Sequence, residues 1–265
     1  MLNNSYLQIQ LLASEVDNAG MNILDFIKSP LREKAIIIQG ESIFADEELA
    51  SNITNTQCSL IFLSRHRAKS LRPSLTLHPI GNFSQAEFGG KDRTLINCNT
   101  YLQKQLFLNI INLHSSGKYD LKYEYETSVE VTHHGPYTPN SITYIEVGSS
   151  MEQWNDLEAC RLIAETVNMT DFDNLYGQKT WISSIGFGGN HYPQKFTKQM
   201  CESDYAIGHM CAKYAIPYLT QELVEQMIQK TFPTPKIALF DKKSMKRKQL
   251  IRSWLSEYDL EVIQI

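Results

Sequence analysis

A chain of 265 residues that is 42% hydrophobic and 20% charged has the apolar material for a substantial core, which excludes a disordered or low-complexity protein. Its net charge of -4 and pI near 6.0 exclude a whole-molecule pull toward polyanions, so a nucleic-acid contact must use a local basic patch. Five cysteines with no C-x-x-C pair argue against a disulfide framework and a thiolate zinc knuckle, and for a reduced, cytoplasmic protein. The opening MLNNSYLQIQLLAS has no charged n-region or long apolar h-region, so no signal peptide is expected. No apolar run approaches about 18 residues, and no membrane span is expected.

In chain order, strands are expected at Tyr6–Leu12, Ala35–Ile38, Cys58–Leu63, Leu75–Leu77, Val129–Thr132, Ile142–Val147, Trp181–Ile185, Ile237–Phe240 and Leu260–Ile263. Between them fall helical patterns. Tyr101 to Leu113 carries Leu102, Leu106, Ile110 and Leu113 at helical spacing. Trp154, Leu157, Cys160, Ala164 and Val167 form a second stripe, with Ser150 and Gln153 as a capping box. Phe196–Tyr214, Leu219–Ile228 and a basic Lys243–Leu255 complete the helices. Alternation of strands and helices implies an α/β class, a three-layer α/β/α sandwich over residues 1–265 as a single domain. The connection between Val129–Thr132 and Ile142–Val147 is too short for a crossover helix, so those strands are expected as antiparallel neighbours in a mixed sheet.

Of seven histidines, His66, His78, the pair His133–His134 and His191 each follow an expected strand. Ligands in open α/β sheets bind at the carboxyl ends of strands, so these imidazoles are expected to converge on one rim. His114 ends a helix, and His209 sits in a helical pattern. In ITYIEVG, Ile142, Tyr144 and Glu146 share one face and Thr143, Ile145 and Val147 the other, which looks like core. Adjacent His133 and His134 point to opposite faces of a regular strand, unless a turn at Gly135–Pro136 relaxes that limit.

The segments FLSRHRAKSLRPSLTLHPIGNF, VEVTHHGPYTPNSITYIEVGSS, GFGGNHYPQKFT and YAIGHMCAKYAIPY, with SEVDNAGMNI before them, resemble the archaeal and plant type of D-aminoacyl-tRNA deacylase. The likeness runs in order from about Ser14 to the C-terminus. Asn190 stands where the family form GGGHYAPR has a glycine, and the alanine of that form is missing. The resemblance implies a phosphorylase/hydrolase-like fold and a zinc-dependent, monomeric enzyme. Its reaction would be hydrolysis of the ester between a D-amino acid and the 3′ end of tRNA, sparing L-aminoacyl-tRNA.

The residues themselves allow two chemistries. Zinc would polarise the carbonyl and acidify water, drawing on His78, His133, His191 and Glu146 as metal ligands. Without metal, a histidine would act as general base and the Gly188–Gly189 amides or a second histidine would bind the oxyanion. His133, His134 and His191 are the candidate catalytic residues. Candidate substrate contacts are Arg65, His66, Asn82, Gly188, Gly189, Tyr192 and His209. Arg65, His66, Arg67, Lys69 and Arg72 form a basic cluster expected in a loop; Lys242, Lys243, Lys246, Arg247, Lys248 and Arg252 form another near the C-terminal helix. Tyr192 and Tyr137 are candidates to stack on the terminal adenine. Two other classes remain open: a metallopeptidase or amidase, for which no HExxH is present, and a non-enzymatic tRNA-binding module.

Overall fold

The computed structural model describes residues 8–53, 58–177, 180–242 and 247–265. Its first half contains β1 (Ile9–Ser14), α1 (Asn18–Phe26), β2 (Ile36–Ile38), α2 (Asp46–Asn52), β3 (Ser59–Arg67), β4 (Ser74–Pro79), β5 (Cys98–Asn99) and α3 (Thr100–Ser115). Then come β6 (Glu126–Val129), β7 (Ser141–Ser149), α4 (Met151–Trp154), α5 (Leu157–Asn168), β8 (Ile182–Phe187), α6 (Gln194–Glu202) and β9 (Tyr205–Cys211). The chain closes with α7 (Gln221–Gln229), β10 (Thr231–Phe232), β11 (Ile237–Phe240), α8 (Lys248–Leu255) and β12 (Glu261–Gln264).

A six-stranded sheet runs β2-β1-β3-β7-β4-β6, and a four-stranded sheet runs β12-β11-β8-β9. The second is parallel throughout. In the first, β4 pairs antiparallel with β7 and parallel with β6, so the sheet is mixed. Beyond β6 the chain continues to Thr132, whose N–H donates to Met210 O of β9 at 3.1 Å, joining the two sheets.

The pleat sorts the core. Leu11, Ala13, Ile61, Leu63, Leu75, Leu77, Ile145 and Val147 face α1, α3 and α5 in one buried cluster. Leu12, Leu60, Phe62, Ile142 and Tyr144 face the opposite way, against Leu49 of α2. Phe187, Ala238 and Phe240 of the second sheet pack on α7 and α8. Helices thus cover both faces of a mixed α/β architecture, as the alternating pattern leads one to expect.

Several boundaries differ from the sequence reading. β6 and β7 run antiparallel but are not neighbours, because β4, earlier in the chain, inserts between them. Helix expected over Phe196–Tyr214 is instead α6 followed by β9. Gly208 marks that strand: a Cβ there would meet Cys98 Sγ, Thr100 Cγ2 and Thr231 Cγ2 at 2.9 Å, so β9 lies directly over β5 and β10. The Ser150–Gln153 capping box is present, with Ser150 N donating to Gln153 Oε1 at 2.9 Å. The helix it starts ends after one turn, and Asp156 caps α5 separately. Tyr6 and Leu7 of the first expected strand, and residues 243–246 of the last expected helix, lie outside the described residues.

One buried cation holds the α6–β9 corner. Lys104 of α3 is 1% exposed, and its Nζ donates to the carbonyls of Met200, Ser203 and Tyr205 at 3.0, 2.6 and 3.0 Å. Two of these oxygens close the C-terminal end of α6, where backbone carbonyls have no partner within the helix. Lys104→Met strips the donor from all three and is expected to cost about 2–3 kcal/mol in urea unfolding. A loss within about 0.5 kcal/mol would show that the ammonium does not hold this corner.

Candidate active site

The cross-strand register builds the site. Glu146 of β7 lies beside Ser64 of β3 and Thr76 of β4; Gly148 lies beside His66, and Tyr144 beside His78. Residues in register point to the same side of a sheet, so His66, His78, Tyr144 and Glu146 share the face turned away from α1, α3 and α5. Glu130 N donates to Leu77 O at 3.0 Å, which carries the β6 pairing one residue further and sets Glu130 beside His78 on that face. Gly148 is required here. A Cβ on it would stand 2.5 Å from His66 Cβ and 2.8 Å from His66 Cδ2, in the space of the imidazole.

After β6 the backbone stops alternating. His134 takes a left-handed φ of 47°, and Gly81 N donates to its carbonyl at 2.8 Å. This conformation is unfavourable for a residue with a Cβ and is held by its surroundings. It swings the two adjacent rings to the same side, so His133 and His134 lie 4.6 Å apart between centroids, with His78 at 4.2 and 4.9 Å from them. The strand rule that separates adjacent side chains does not apply across this turn.

Five of the seven histidines therefore meet with two carboxylates in one cluster. His191 Nε2 lies 2.8 Å from Glu130 Oε2, and His133 Nε2 lies 3.7 Å from the same oxygen. His66 Nδ1 lies 3.1 Å from Glu146 Oε2 and 3.2 Å from Glu130 Oε1, while its Nε2 meets Tyr192 OH at 2.6 Å. His191 Nδ1 meets Tyr214 OH at 3.2 Å. The cluster sits on a sheet face rather than on the carboxyl rim, because β4 runs against β7 and brings His78 in from the opposite direction.

Glu130 is 0% exposed and carries the electrostatics. Burial pushes its pKa up, yet His66, His191, His78 and His133 hold its carboxyl well below the usual carboxylate range. Glu146 is lowered likewise by His66 and His78 against its burial. Burial disfavours the charged His66 ring, but Glu130 and Glu146 overcome it and raise its pKa to about 9. His134, buried and facing His78, falls to about 4; His133 falls well below the ordinary value for the same kinds of reason. The site thus holds charged and neutral imidazoles side by side.

Ligand atoms of three overlapping groups come within 4.8 Å of one another: His78, His133 and His134; Glu130, His133 and His191; and His66, Glu130 and Glu146. In the first group, Nδ1 of His78, His133 and His134 meets the carbonyl of Pro79, Val131 and Gly135, respectively. Each Nδ1 then carries a proton and Nε2 faces the cluster. Burial opposes charge on His78, yet Glu146 and Glu130 raise its pKa, so its Nε2 must give up a proton before all three rings can hold a cation. His78 Nε2 is buried with no hydrogen-bond partner among the described residues. The donor set suits zinc. It joins His134 to His78 and His133, where the sequence reading grouped those two with His191 and Glu146.

The remaining candidates are dispersed. Asn82 lines the same cleft but donates its amide to Gly89 O and Lys91 O. Gly188 has its N–H on Cys211 O, and Gly189 O accepts from Lys213 N. His209 lies behind the site, its Nδ1 on Thr132 Oγ1 at 3.2 Å, and burial lowers it to about 3. Arg65, His66 and Arg67 belong to β3 rather than to a loop, and Arg65 pairs with Glu41 at 2.7 Å. Arg247 spends its guanidinium on the carbonyls of Ile216, Pro217 and Leu219; Lys243 and Lys246 lie outside the described residues. Tyr137 lies under Lys91 Nζ, and Tyr192 holds His66, so neither ring is a free platform. Glu130 escaped the sequence reading, although VEVT signalled it: Val129 and Val131 alternate with a lone carboxylate.

Two clefts reach the cluster. One, of about 780 Å³, is lined by His66, His133, His134, Glu146 and His191, with Phe44, Phe88, Tyr214 and Tyr218 also on its walls. The other, of about 840 Å³, shares His191 with the first and is lined also by Thr76, Ser128, Tyr192 and Thr197.

The family model described as D-aminoacyl-tRNA deacylase matches residues 54–263. The chain belongs to that family. The D-aminoacyl-tRNA deacylase of Staphylothermus marinus is 38% identical over 190 residues, spanning 71% of this chain and 67% of the relative. That of Archaeoglobus fulgidus is 31% identical over 83% of this chain and 82% of the relative. That of Thermococcus kodakarensis is 29% identical over 96% and 98% of the two chains. A crystal structure of a conserved protein of unknown function superposes with a TM-score of 0.84 at 27% identity, covering 97% of this chain and 95% of its own.

The carboxylate–imidazole contacts of this family member make its stability depend on pH in a defined direction. His66, raised from 6.5 to about 9, contributes stability that is full below 6.5 and lost as pH rises through 9. Glu146, lowered from 4.5, contributes above that value and loses its contribution in acid. In chelator-treated protein, Glu146→Gln is therefore expected to be least stable relative to the parent between these limits. The deficit should shrink above pH 9, as followed by urea unfolding across pH. A deficit independent of pH would mean that the pair is not ionised.

Proposed function

We propose that this chain hydrolyses the ester joining a D-amino acid to the terminal ribose of tRNA. The observation that carries the reading is the Glu130–imidazole cluster, open to a cleft with aromatic walls, in a chain of the D-aminoacyl-tRNA deacylase family. Water adds to the acyl carbon, the carbon–oxygen bond to the ribose breaks, and the ribose oxygen leaves with a proton. Products are free D-amino acid and tRNA. One domain of residues 1–265, acting as a monomer, is the simplest assembly; five free cysteines, four of them buried, support a reducing, cytoplasmic setting.

We assign the metal to His78, His133 and His134, supported by three Nδ1 atoms on backbone carbonyls, which turn the three Nε2 atoms toward one another. A cation there would displace the Nε2 proton that Glu146 and Glu130 favour on His78. Bound there, zinc supplies Lewis acidity toward the acyl carbonyl. The other roles belong to side chains. Glu130 stays ionised 2.8 Å from His191 Nε2 and favours the proton on that nitrogen, which leaves His191 Nδ1 as the base that takes a proton from water. Tyr214 OH donates to that nitrogen in the resting state and orients the ring. Charged His66, held by Glu146 and Glu130, donates Nε2–H to Tyr192 and strengthens the phenol as a donor to the developing oxyanion. Glu146 acts as the residue that positions His66.

Purified protein incubated with D-tyrosyl-tRNA and L-tyrosyl-tRNA tests the reading. The D-ester should be lost and the L-ester spared, with chelator stopping turnover and zinc restoring it. His191→Asn should lower kcat by about 100-fold or more while zinc content by elemental analysis stays at the parental level. His133→Asn should lose zinc as well as turnover. Peptide cleavage without ester loss would make the protein a peptidase or amidase. Binding of tRNA without turnover would make it a binding module.

A further inference from the structure

An ester has two arms, one on each side of the reacting carbon, and two clefts meet at this cluster. His191 lines both, and Tyr192, hydrogen-bonded to His66 at 2.6 Å, stands beside it in the second cleft. We propose, resting on the deacylase reading above, that the RNA 3′ end occupies the first cleft and the amino-acid side chain extends into the second.

The walls differ in chemistry. In the first cleft, Phe44, Phe88 and Tyr218 are 60, 60 and 55% exposed, although aromatic rings of this size ordinarily bury themselves. Single-stranded RNA ends are held by stacking on such rings. Arg67 is exposed on the same wall, but Asp17, Glu41, Glu87 and Glu146 line this cleft too, so the aromatic rings rather than net charge mark it for RNA. The second cleft offers no such platform, for Tyr192 is its one aromatic residue and is engaged with His66. Its lining combines hydroxyl residues, among them Ser74, Ser128 and Thr197, with the charged Arg72, Glu126, Lys198 and Glu202.

Thr76 lies at the floor of the second cleft. It is 0% exposed, and its Oγ1 has no hydrogen-bond partner among the described residues. The β4–β7 register sets it beside Glu146, so this hydroxyl lies where the second cleft reaches the cluster. With no accessible surface, Thr76 closes the floor beside Glu146, and the hydroxyls open to an acyl arm are those of half-buried Ser128 and Thr197. At about 840 Å³ the cleft is of the size that takes whole small ligands, roughly 300–1,000 Å³, so a large side chain has room there.

Narrowing the second cleft tests the assignment. Thr197→Trp and Lys198→Trp place an indole in its wall from α6; Lys198 is exposed, so the second variant puts little strain on the fold. Steady-state kinetics are measured with D-tryptophanyl-tRNA and D-alanyl-tRNA, alongside thermal unfolding of each variant. At least one folded variant should lose about tenfold or more in kcat/KM for the tryptophanyl ester and stay within about twofold for the alanyl ester. Tyr218→Ala, in the first cleft, should raise KM for both esters by the same factor. Equal losses for the two esters in the folded α6 variants, or no loss in either, overturn the assignment. An inactive parent protein would instead overturn the deacylase reading itself.

Discussion

A carboxylate removed from water needs cations or donors around it, and Glu130 meets that demand with imidazoles. Taken from solvent entirely, it would be expected to protonate; surrounded by His66, His133 and His191, it keeps its charge. The rest of the centre follows from this one requirement. His66 must be positive and therefore close to a second carboxylate, Glu146. His191 must turn Nε2 inward and therefore present Nδ1 to the cleft. His133 and His134 crowd positive neighbours and remain neutral, which is the state in which an imidazole binds a cation.

The fold supplies the geometry by a simple device. Four strands in register present one polar stripe across an otherwise apolar sheet, while their other face feeds Leu63, Leu77, Ile145 and Val147 into the helical layer. Side chains built on paired strands are located by backbone hydrogen bonds, so their separations do not depend on loop conformation. Only the His133–His134 pair departs from this scheme, and there a left-handed residue does what a strand cannot.

Much of this was legible in the residues. The parity of ITYIEVG correctly separated Glu146 from Ile145 and Val147, because a two-residue period needs no knowledge of partners. The convergence of His66, His78, His133, His134 and His191 was expected on the carboxyl rim from their places after strands; they do meet, but His66 and His78 lie within β3 and β4, and the meeting place is a sheet face. The insertion of β4 between β6 and β7 did not, since strand order is set by long-range pairing that local pattern does not encode. β9 was read as helix because its burial on both faces erases alternation, and Gly208 was the one local sign against it. Glu130 was passed over because a single acid in a valine run looks like an edge residue until its neighbours are known. The basic residues misled in another way, since Arg65 and Arg247 are occupied by intramolecular acceptors that sequence cannot reveal.

The opposed direction of β4 has a bearing on how the chain reaches its native pairing. Sliding β4 by a single position against β7 would turn His78 and Thr76 into the leucine-rich layer beneath and lift Leu75 and Leu77 into the cleft. Every such misalignment strands an imidazole in hydrocarbon and wets two leucines at once. The polar stripe that serves the chemistry therefore also acts as a proofreading mark for strand alignment, penalising each odd offset during folding.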